Sequence, residues 1–567
     1  LYQDLLLSTR LSFMLDIRQG WLRSTSLLAV ALFLSACAVG PDFERPEAPS
    51  VKNYAPGTPL KTTAGADGVG GAEQKLIEGK DIPGEWWELF HSEPLNKLVR
   101  QAFVANPDLQ AAQATLNQAQ DSFYAGLGSF LPSVNGTGSV TRQKTSGATT
   151  STKTQGSIYN LYNASIGVSY TFDLFGGTRR TVEALGAEAD YERFQFEAAY
   201  LTLTSNLVTQ VLQEASLRAQ IDATREIAIA QTKQLEMVLK QFDLGAVART
   251  AVLTQQSSLA ATEASLPGLE KQLAITRHGI NILIGQFPSE EIEATFSLDA
   301  LQLPSDLPLT VPSKLVEQRP DIRASEALLH KASAEVGVAT ANMLPQITLS
   351  ADLGSAAQNM ANLFKPGAGL WSLGSTVAQP IFEGGSLFFK REAAKDALEA
   401  ASANYRSVVL SAFKDVADTL KALEMDSRSL KAQVASEKAA KAALDIATKQ
   451  FQTGAISYLS LLTAQQNYQT AKIALVKAQA TRFADTAALY QALGGGWWNR
   501  TDDPDTNGDA ENKAVKPAAE KTTEAETKTE EPAKVEEPAK TNEPESDDKT
   551  SVPPSNVKQS NEDGAKI

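Results

Sequence analysis

The stretch from Thr178 to Phe242 restricts the fold more than any other part of the chain. It has no proline, and its one glycine, Gly186, lies near the start. Ala, Leu, Glu, Gln, Lys and Arg, the strong helix formers, fill most of its positions. Read as one helix, or as two nearly collinear ones, it is on the order of 95 Å long. An ordinary globular helix has roughly 11–12 residues. So long a helix needs a partner along its length, because its stability comes mainly from packing an apolar face. Leu207, Val211, Leu235, Val238, Leu239 and Phe242 supply parts of that face at three- and four-residue spacing. The segment QFDLGA breaks the pattern at Gly245, and a second helical stretch returns from Thr250 to about Ile284. The sequence thus predicts a very long helical hairpin. Pro267-Gly268 inside the return arm predicts a kink or an interruption.

The hairpin occurs twice. PDLQAAQATLNQA from Pro107 resembles PDIRASEALLHKA from Pro320, and FLPSV around Pro132 resembles MLPQI around Pro345, both at an offset of 213. LFGG and FEGG repeat at 208, QFDLGA and QFQTGA at 209. Four landmarks in one order at near-constant spacing mark an internal duplication. Its halves, of roughly 200 residues, are too long for a solenoid repeat. The second half has a proline-free helix from Ile381 up to Gly454 and a return helix from Ser457 to about Leu493.

Each half also carries short alternating segments ahead of its long helix. From Ser165 to Asp173, Ile166, Val168, Tyr170 and Phe172 fall on one face and small polar residues on the other, which predicts a strand. The less hydrophobic stretch from Ser133 to about Gln143 is a candidate partner. Gln346–Leu353 alternates in the same way, and a further strand is expected from Leu370 to Gln379. A helix from Pro94 to about Gly128 precedes the first strands, and the segment from Phe287 to Pro312 reads as a linker. Trp86, Trp87 and Phe90, beside Glu85 and Glu88, read as a packing anchor in preference to a membrane-interface belt.

Arg18 and Arg23 precede the apolar run SLLAVALFLSA, which ends at Cys37, the only cysteine. A basic start, a short apolar core and small residues at its end form a signal peptide. The run is shorter than the roughly 20 apolar residues of a membrane-spanning helix. Leu34, Ser35, Ala36 and Cys37 resemble a bacterial lipobox, which implies a lipidated Cys37 as the mature N-terminus. Ala38 after it implies the outer membrane. Met14 would give a signal of ordinary length, leaving the residues before it untranslated. The net charge is −14, and −8 of it lies after Trp498, in a stretch with no aromatic residue and two copies of EEPAK. That tail is expected to be disordered. The acidic balance argues against a nucleic-acid partner.

The strands have the length of transmembrane β-strands, roughly 9–11 residues. An apolar and a polar face suit a wall between lipid and water. Lipid tolerates no unpaired sheet edge, so such a wall must close. The four strands of one chain fall short of the roughly eight in the smallest barrels, so several chains must share one barrel. Two chains would leave a lumen filled by side chains, and three would leave a channel. The alternative from periodicity alone is a soluble coiled-coil protein with an ordinary β-hairpin.

CAVGPDFERP, DIPGEWWELF, YTFDLFGGTRR, QFDLGAVART, QRPDIRASEALLHKASAEVGVATANMLPQITLSADLG, QPIFEGG, SYLSLLTAQQNY and LYQALGGGW resemble the outer-membrane factors of tripartite efflux systems. That is the TolC/OprM-like family, in particular its NodT-like lipoprotein branch, and the resemblance runs from about Cys37 to Trp497. It implies a mainly α fold with a membrane β-barrel. Three copies would share twelve strands and a long periplasmic α-helical barrel. It implies a homotrimer that docks to a periplasmic adaptor and an inner-membrane pump, usually of the resistance-nodulation-division type. The protein would be a passive duct for drugs or other small molecules, without a cofactor. The expected organisation is a signal peptide over 1–36, an extended segment over 37–84, repeats over 85–300 and 301–498, and the acidic tail over 499–567. A duct for type I protein secretion and, less favoured, a periplasmic adaptor lipoprotein are the alternatives.

The resemblance also implies periplasmic tips that dock the adaptor and close like an iris. The matching turns are Asp243–Thr250 and Gln452–Tyr458, where Gly245 and Gly454 suit a tight turn with positive φ. Ala251, Ser460 and Thr463 stand where relatives often carry aspartates, which removes the basis for a cation-selective acidic gate. Asp243, Arg249 and Tyr458 are candidates for bonds that hold the tips shut, weighed against plain solvated turn residues. His91, His278 and His330 are scattered on predicted helices without partners, and no metal-ligand spacing occurs. Neither an enzyme nor a metal centre is expected.

Overall fold

The computed structural model describes residues 38–57, 59–146 and 156–500. The expected signal segment with Leu34, Ser35, Ala36 and Cys37, and the residues from 501 on, lie outside the described residues. The elements are β1 (Lys75–Glu78), α1 (Glu93–Ala105), α2 (Pro107–Leu127), β2 (Ser133–Lys144), β3 (Ile158–Phe172), α3 (Gly177–Asp243) and α4 (Arg249–Leu283). There follow β4 (Asp306–Leu309), α5 (Pro312–Gln318), α6 (Pro320–Ala341), β5 (Gln346–Ala357), β6 (Gly369–Ala378), α7 (Ser386–Gln452) and α8 (Tyr458–Ala492). The duplication is metric: α3 and α7 have 67 residues each, α4 and α8 have 35 each, and β2 and β5 have 12 each.

Local chemistry explains the boundaries. α3 and α7 start after glycines in the left-handed region, Gly176 at φ 76° and Gly385 at φ 85°. Only glycine enters that region without a steric cost. The Asp173 carboxylate accepts from the backbone N–H groups of Thr178 and Arg179, at 2.9 and 3.0 Å, so the first turn of α3 is anchored on the end of β3. The single helix expected from Pro94 to Gly128 is two. Asn106 ends α1 and caps α2, its side chain accepting from Leu109 N–H at 3.0 Å, and Pro107 takes the first helical position. No interruption occurs at Pro267, where α4 runs through as one helix. The proline lacks one N–H, and the packing of α4 along α3 holds the remainder.

The linker expected before Pro312 hides a strand. β4 pairs parallel to β1, Leu76 opposite Leu307, and joins the N-terminal segment to the middle of the chain. Four residues including Pro308 give too short a pattern to read. Trp86, Trp87 and Phe90 are buried beside Leu95, Val99, Leu207, Val211, Ile280 and Tyr490. Trp86 stacks on Tyr490 with ring centroids 5.4 Å apart, so these aromatics anchor the N-terminal segment to the helical body.

α3 packs against α2, α4, α6 and α8, whereas the main contacts of α7 are α6 and α8. Near the strands the helix order is therefore α2–α3–α6–α7, and toward the turns it is α4–α3–α8–α7. Among the described residues no helix is long and apolar enough to cross a membrane. The other sheet is an antiparallel meander in the order β2–β3–β5–β6, with β2 and β6 at its edges.

Candidate channel wall and tip turns

The sheet register sorts the side chains by face, since residues opposite one another share one. Val168 lies opposite Val134 and Ala351, Ile166 opposite Leu353, Leu353 opposite Trp371, and Ala351 opposite Leu373. The other face carries Asn135, Thr137, Ser165, Ser169, Thr348, Ser350, Asp352 and Thr376, with Thr171 and Thr348 hydroxyls 3.0 Å apart. The apolar face is uncovered: Leu353 is 68% exposed, Trp371 77% and Leu373 68%. A continuous apolar face of this kind marks a surface for lipid or for another protein. The edges, β2 and β6, present unpaired N–H and C=O groups as well.

Residues 38–46 form a strap across the α3–α6 pair. Val39 N–H donates to Phe175 O at 2.9 Å, only three residues beyond β3. The buried Arg180 guanidinium donates to Val39 O at 3.3 Å and pairs with Asp42 and Glu183. Arg45 pairs with Glu326 at 3.0 Å, and Phe43 stacks on His330 at 4.4 Å. Two glycines make room: a Cβ on Gly40 would fall 2.4 Å from Gly337 Cα, and one on Gly337 would fall 2.7 Å from Arg180 Cγ. His330 was expected to lack a partner, yet its Nε2 lies 2.9 Å from Glu183 Oε1. The partner is 147 residues away in sequence, and only the tertiary fold brings them together.

On the other side of the same helices, α2, α3, α6 and α7 line a groove of about 880 Å³. Its charged residues are Glu188, Glu192, Lys331, Glu335, Glu383 and Lys390. Lys331 Nζ lies 2.7 Å from Glu188 Oε2. Partial burial, and then the neighbouring Glu188, hold the Glu192 carboxyl above its usual range.

The two turns lie side by side. Gly245 and Gly454 have φ of 73° and 74°, and each turn closes with the same pair of backbone bonds. In the first turn Gly245 N–H donates to Phe242 O at 2.8 Å and Ala246 N–H to Gln241 O at 2.7 Å. In the second, Gly454 donates to Phe451 O at 3.0 Å and Ala455 to Gln450 O at 2.8 Å. Val238, Val252, Phe451 and Leu461 form a small core between the hairpins. Tyr458 Oη donates to Gln255 Oε1 at 2.7 Å, and Gln255 Nε2 donates to Gln231 O at 3.2 Å. Burial raises the Tyr458 phenol to about 12, so it remains a donor at neutral pH. Tyr458 thus joins the two hairpins of one chain. Asp243 and Arg249 are exposed and form no such tie among the described residues. Thr463 is exposed, its hydroxyl donating to Leu459 O at 3.0 Å.

Higher on α7 and α8 lies a group that sequence reading passed over. Arg482 is fully buried, and its guanidinium donates to Gln74 Oε1 at 2.6 Å, Thr63 Oγ1 at 3.2 Å and Leu423 O at 3.4 Å. Its hydrogen bonds lead away from the neighbouring Asp485, whose carboxyl lies beside that of Asp426. Burial and Asp426 push Asp485 up to about 7. No spacing rule exposes two carboxyls 59 residues apart, on opposite arms of a hairpin.

A family model described as outer membrane efflux protein matches residues 98–286 and 311–495, one match in each half. The pyoverdine export outer membrane protein OpmQ of Pseudomonas aeruginosa is 33% identical over 426 residues, 73% of this chain and 87% of that protein. The toluene efflux pump outer membrane protein TtgC of Pseudomonas putida is 28% identical over 478 residues, 84% of this chain and 96% of that protein. The solved outer-membrane channel OprN superposes with a TM-score of 0.74 at 28% identity, covering 81% of this chain and all of that one.

Proposed function

The chain belongs to the outer membrane efflux protein family, whose members are channels and not enzymes, and on that premise we propose that it is the exit duct of a tripartite efflux pump. Three copies share one barrel of twelve strands, each giving the β2–β3–β5–β6 meander, so that β6 of one pairs with β2 of the next. The observation that carries this reading is the sheet itself, with one face mainly apolar and exposed through its middle and both edges unpaired. Lipid covers that face, and closure satisfies the edges. α7 of one copy meets α2 and α4 of the next in the same way, so the repeats (residues 85–300 and 301–498) alternate around a helical tube.

The strap fits lipid attachment at Cys37. Ala38 and Val39 are held against Gly176 and Phe175, at the foot of β3, so an acyl chain on the preceding residue would enter the leaflet that borders the apolar band. The strap side is then the outside of the tube, and the groove of Glu188 and Lys331 faces the lumen. The two tip turns dock a periplasmic adaptor, through which an inner-membrane pump, of the resistance-nodulation-division type, delivers the cargo. Relatives named for pyoverdine and toluene point to small molecules, and a passive duct leaves the choice among them to its pump.

Conductance tests the reading. Purified protein added to a planar lipid bilayer should give discrete current steps. Ile166→Asp with Leu373→Asp, which puts charges on the lipid face, should abolish insertion. A wild-type preparation that never conducts, or charged variants that insert as well as wild type, would contradict it.

A further inference from the structure

The duplication makes each junction inside the chain a template for the junction between copies. At the α3–α6 junction the outer groove is filled by the strap, which needs Gly337 for room and Arg180 for its bonds. The repeat relation carries Gly337 onto Tyr124, at the offset of 213 that also relates Pro107 to Pro320 and Pro132 to Pro345. It carries Arg180 onto Phe389, at the offset of 209 that relates the capping glycines Gly176 and Gly385 and equates the lengths of α3 and α7. Among the described residues each chain has one strap, and it is spent at α3–α6. The α7–α2 junction between copies therefore has an outer groove with no strap to fill it.

In that place the sequence changes in a matched way. The glycine that admits the strap becomes a tyrosine, and the arginine that binds it becomes a phenylalanine. Tyr124 is 65% exposed and Phe389 68% exposed in the single chain, far more than such large rings usually are. Gln113 and Asn117 replace Glu326 and His330, so the groups that hold Arg45 and Phe43 of the strap are also missing.

We propose that Phe389 of one copy packs on Tyr124 of the partner subunit and closes the groove that the strap closes within each chain. This rests on the shared-barrel reading and names the residues that seal it. Tyr124 lies in the last turn of α2 ahead of β2, and Phe389 in the first turn of α7 after β6, so the contact would also hold the β6–β2 pairing in register.

The test is cross-linking of the full-length protein in native membranes. Tyr124→Cys with Phe389→Cys, under mild oxidation, should give dimer and trimer bands on a non-reducing denaturing gel. Each single variant should stay monomeric there. If the double variant forms no covalent oligomer while light scattering gives a trimer mass, the aromatic seal is wrong and the shared barrel stands. A monomer mass for wild-type protein would remove the reading beneath it. Should the cysteine pair impair folding, Tyr124→Gly with Phe389→Arg, the residues of the internal junction, serves instead. It should lower the temperature at which the trimer dissociates by several degrees, and an unchanged temperature would overturn the seal.

Discussion

α3 and α7 are the same helix twice, yet their surroundings differ. Both have 67 residues, a left-handed glycine before the first turn and a matching turn at the end. α3 buries 27 of its residues and α7 eight. α3 lies between the two repeats and is covered from four sides, whereas α7 is the last element of its row and is covered from two. Leu410, 72% exposed, stands where α3 has Leu201, which presses on Gly495. A helix that keeps apolar residues on an uncovered side is a helix with a missing neighbour, and the same holds for β6 beside β3.

The interior of the two hairpins differs in kind as well. α3 carries Glu214, wholly buried, with Arg218 and Arg277 each at 2.8 Å. α7 carries Leu423 at the equivalent place, also wholly buried. Glu214→Ala leaves Arg218 and Arg277 without their shared carboxylate, though Arg277 keeps the Ala294 and Ile292 carbonyls, and should cost about 3 kcal/mol, the low end for a broken buried pair. Glu214→Leu with Arg277→Thr copies the second hairpin, which has Leu423 and Thr486, and should recover part of that loss. Thermal or denaturant unfolding of the solubilised protein measures both. If Glu214→Ala unfolds like wild type, the ion cluster is not what holds the first hairpin.

The Asp426–Asp485 pair reverses the comparison, because α3 and α4 have Leu217 and Thr276 there. The Asp485 pKa is raised in the fold from 3.8 to about 7, so the folded chain holds a proton that the unfolded chain releases. Its contribution is full below about pH 4 and is lost as pH rises toward 7, by at most about 1.4 kcal/mol per pH unit. Asp485→Asn should flatten the dependence of unfolding on pH over that window. An unaltered pH profile would show that the carboxyls do not share a proton.

Leu410→Lys sharpens the edge argument. In a single chain it should change nothing, since the side chain already faces solvent. In the assembled protein it should weaken the trimer, seen as dissociation at a lower detergent concentration with an unchanged helical circular dichroism spectrum. Tyr458→Phe has the smallest expected effect. It removes one hydrogen bond between the hairpins, worth roughly 0.5–1.5 kcal/mol. Arg249, the counterpart of Tyr458, is exposed and makes no such bond among the described residues, so Arg249→Ala should leave this turn of one chain as stable as before. Bilayer conductance reads both variants: a larger or leakier open current is expected for Tyr458→Phe.

Much of this was legible in the sequence because the duplication and the long periodic stretches are strong signals. The ends of α3 lie within one residue of the expected ones, and the alternation at Ile166, Val168 and Tyr170 gave the apolar face of β3. What escaped was short or non-local. Asn106 followed by Pro107 splits a helix that its alanine content joined. β4 contains a proline in four residues. His330 gains Glu183 from α3 and Phe43 from the strap, and Arg482 is held by Gln74, 408 residues distant. The positions of the two turns between the long and return helices follow from their glycines, Gly245 and Gly454. The partner of Tyr458, Gln255, could not be read from either turn.

The central claim is that one chain supplies a third of a closed wall, and the mass of the detergent-extracted protein tests it most directly. Light scattering corrected for bound detergent should give three times the mass of the chain. A monomer that leaves the membrane without detergent once its lipid is removed would contradict the shared barrel and turn the long hairpins into an adaptor or scaffold.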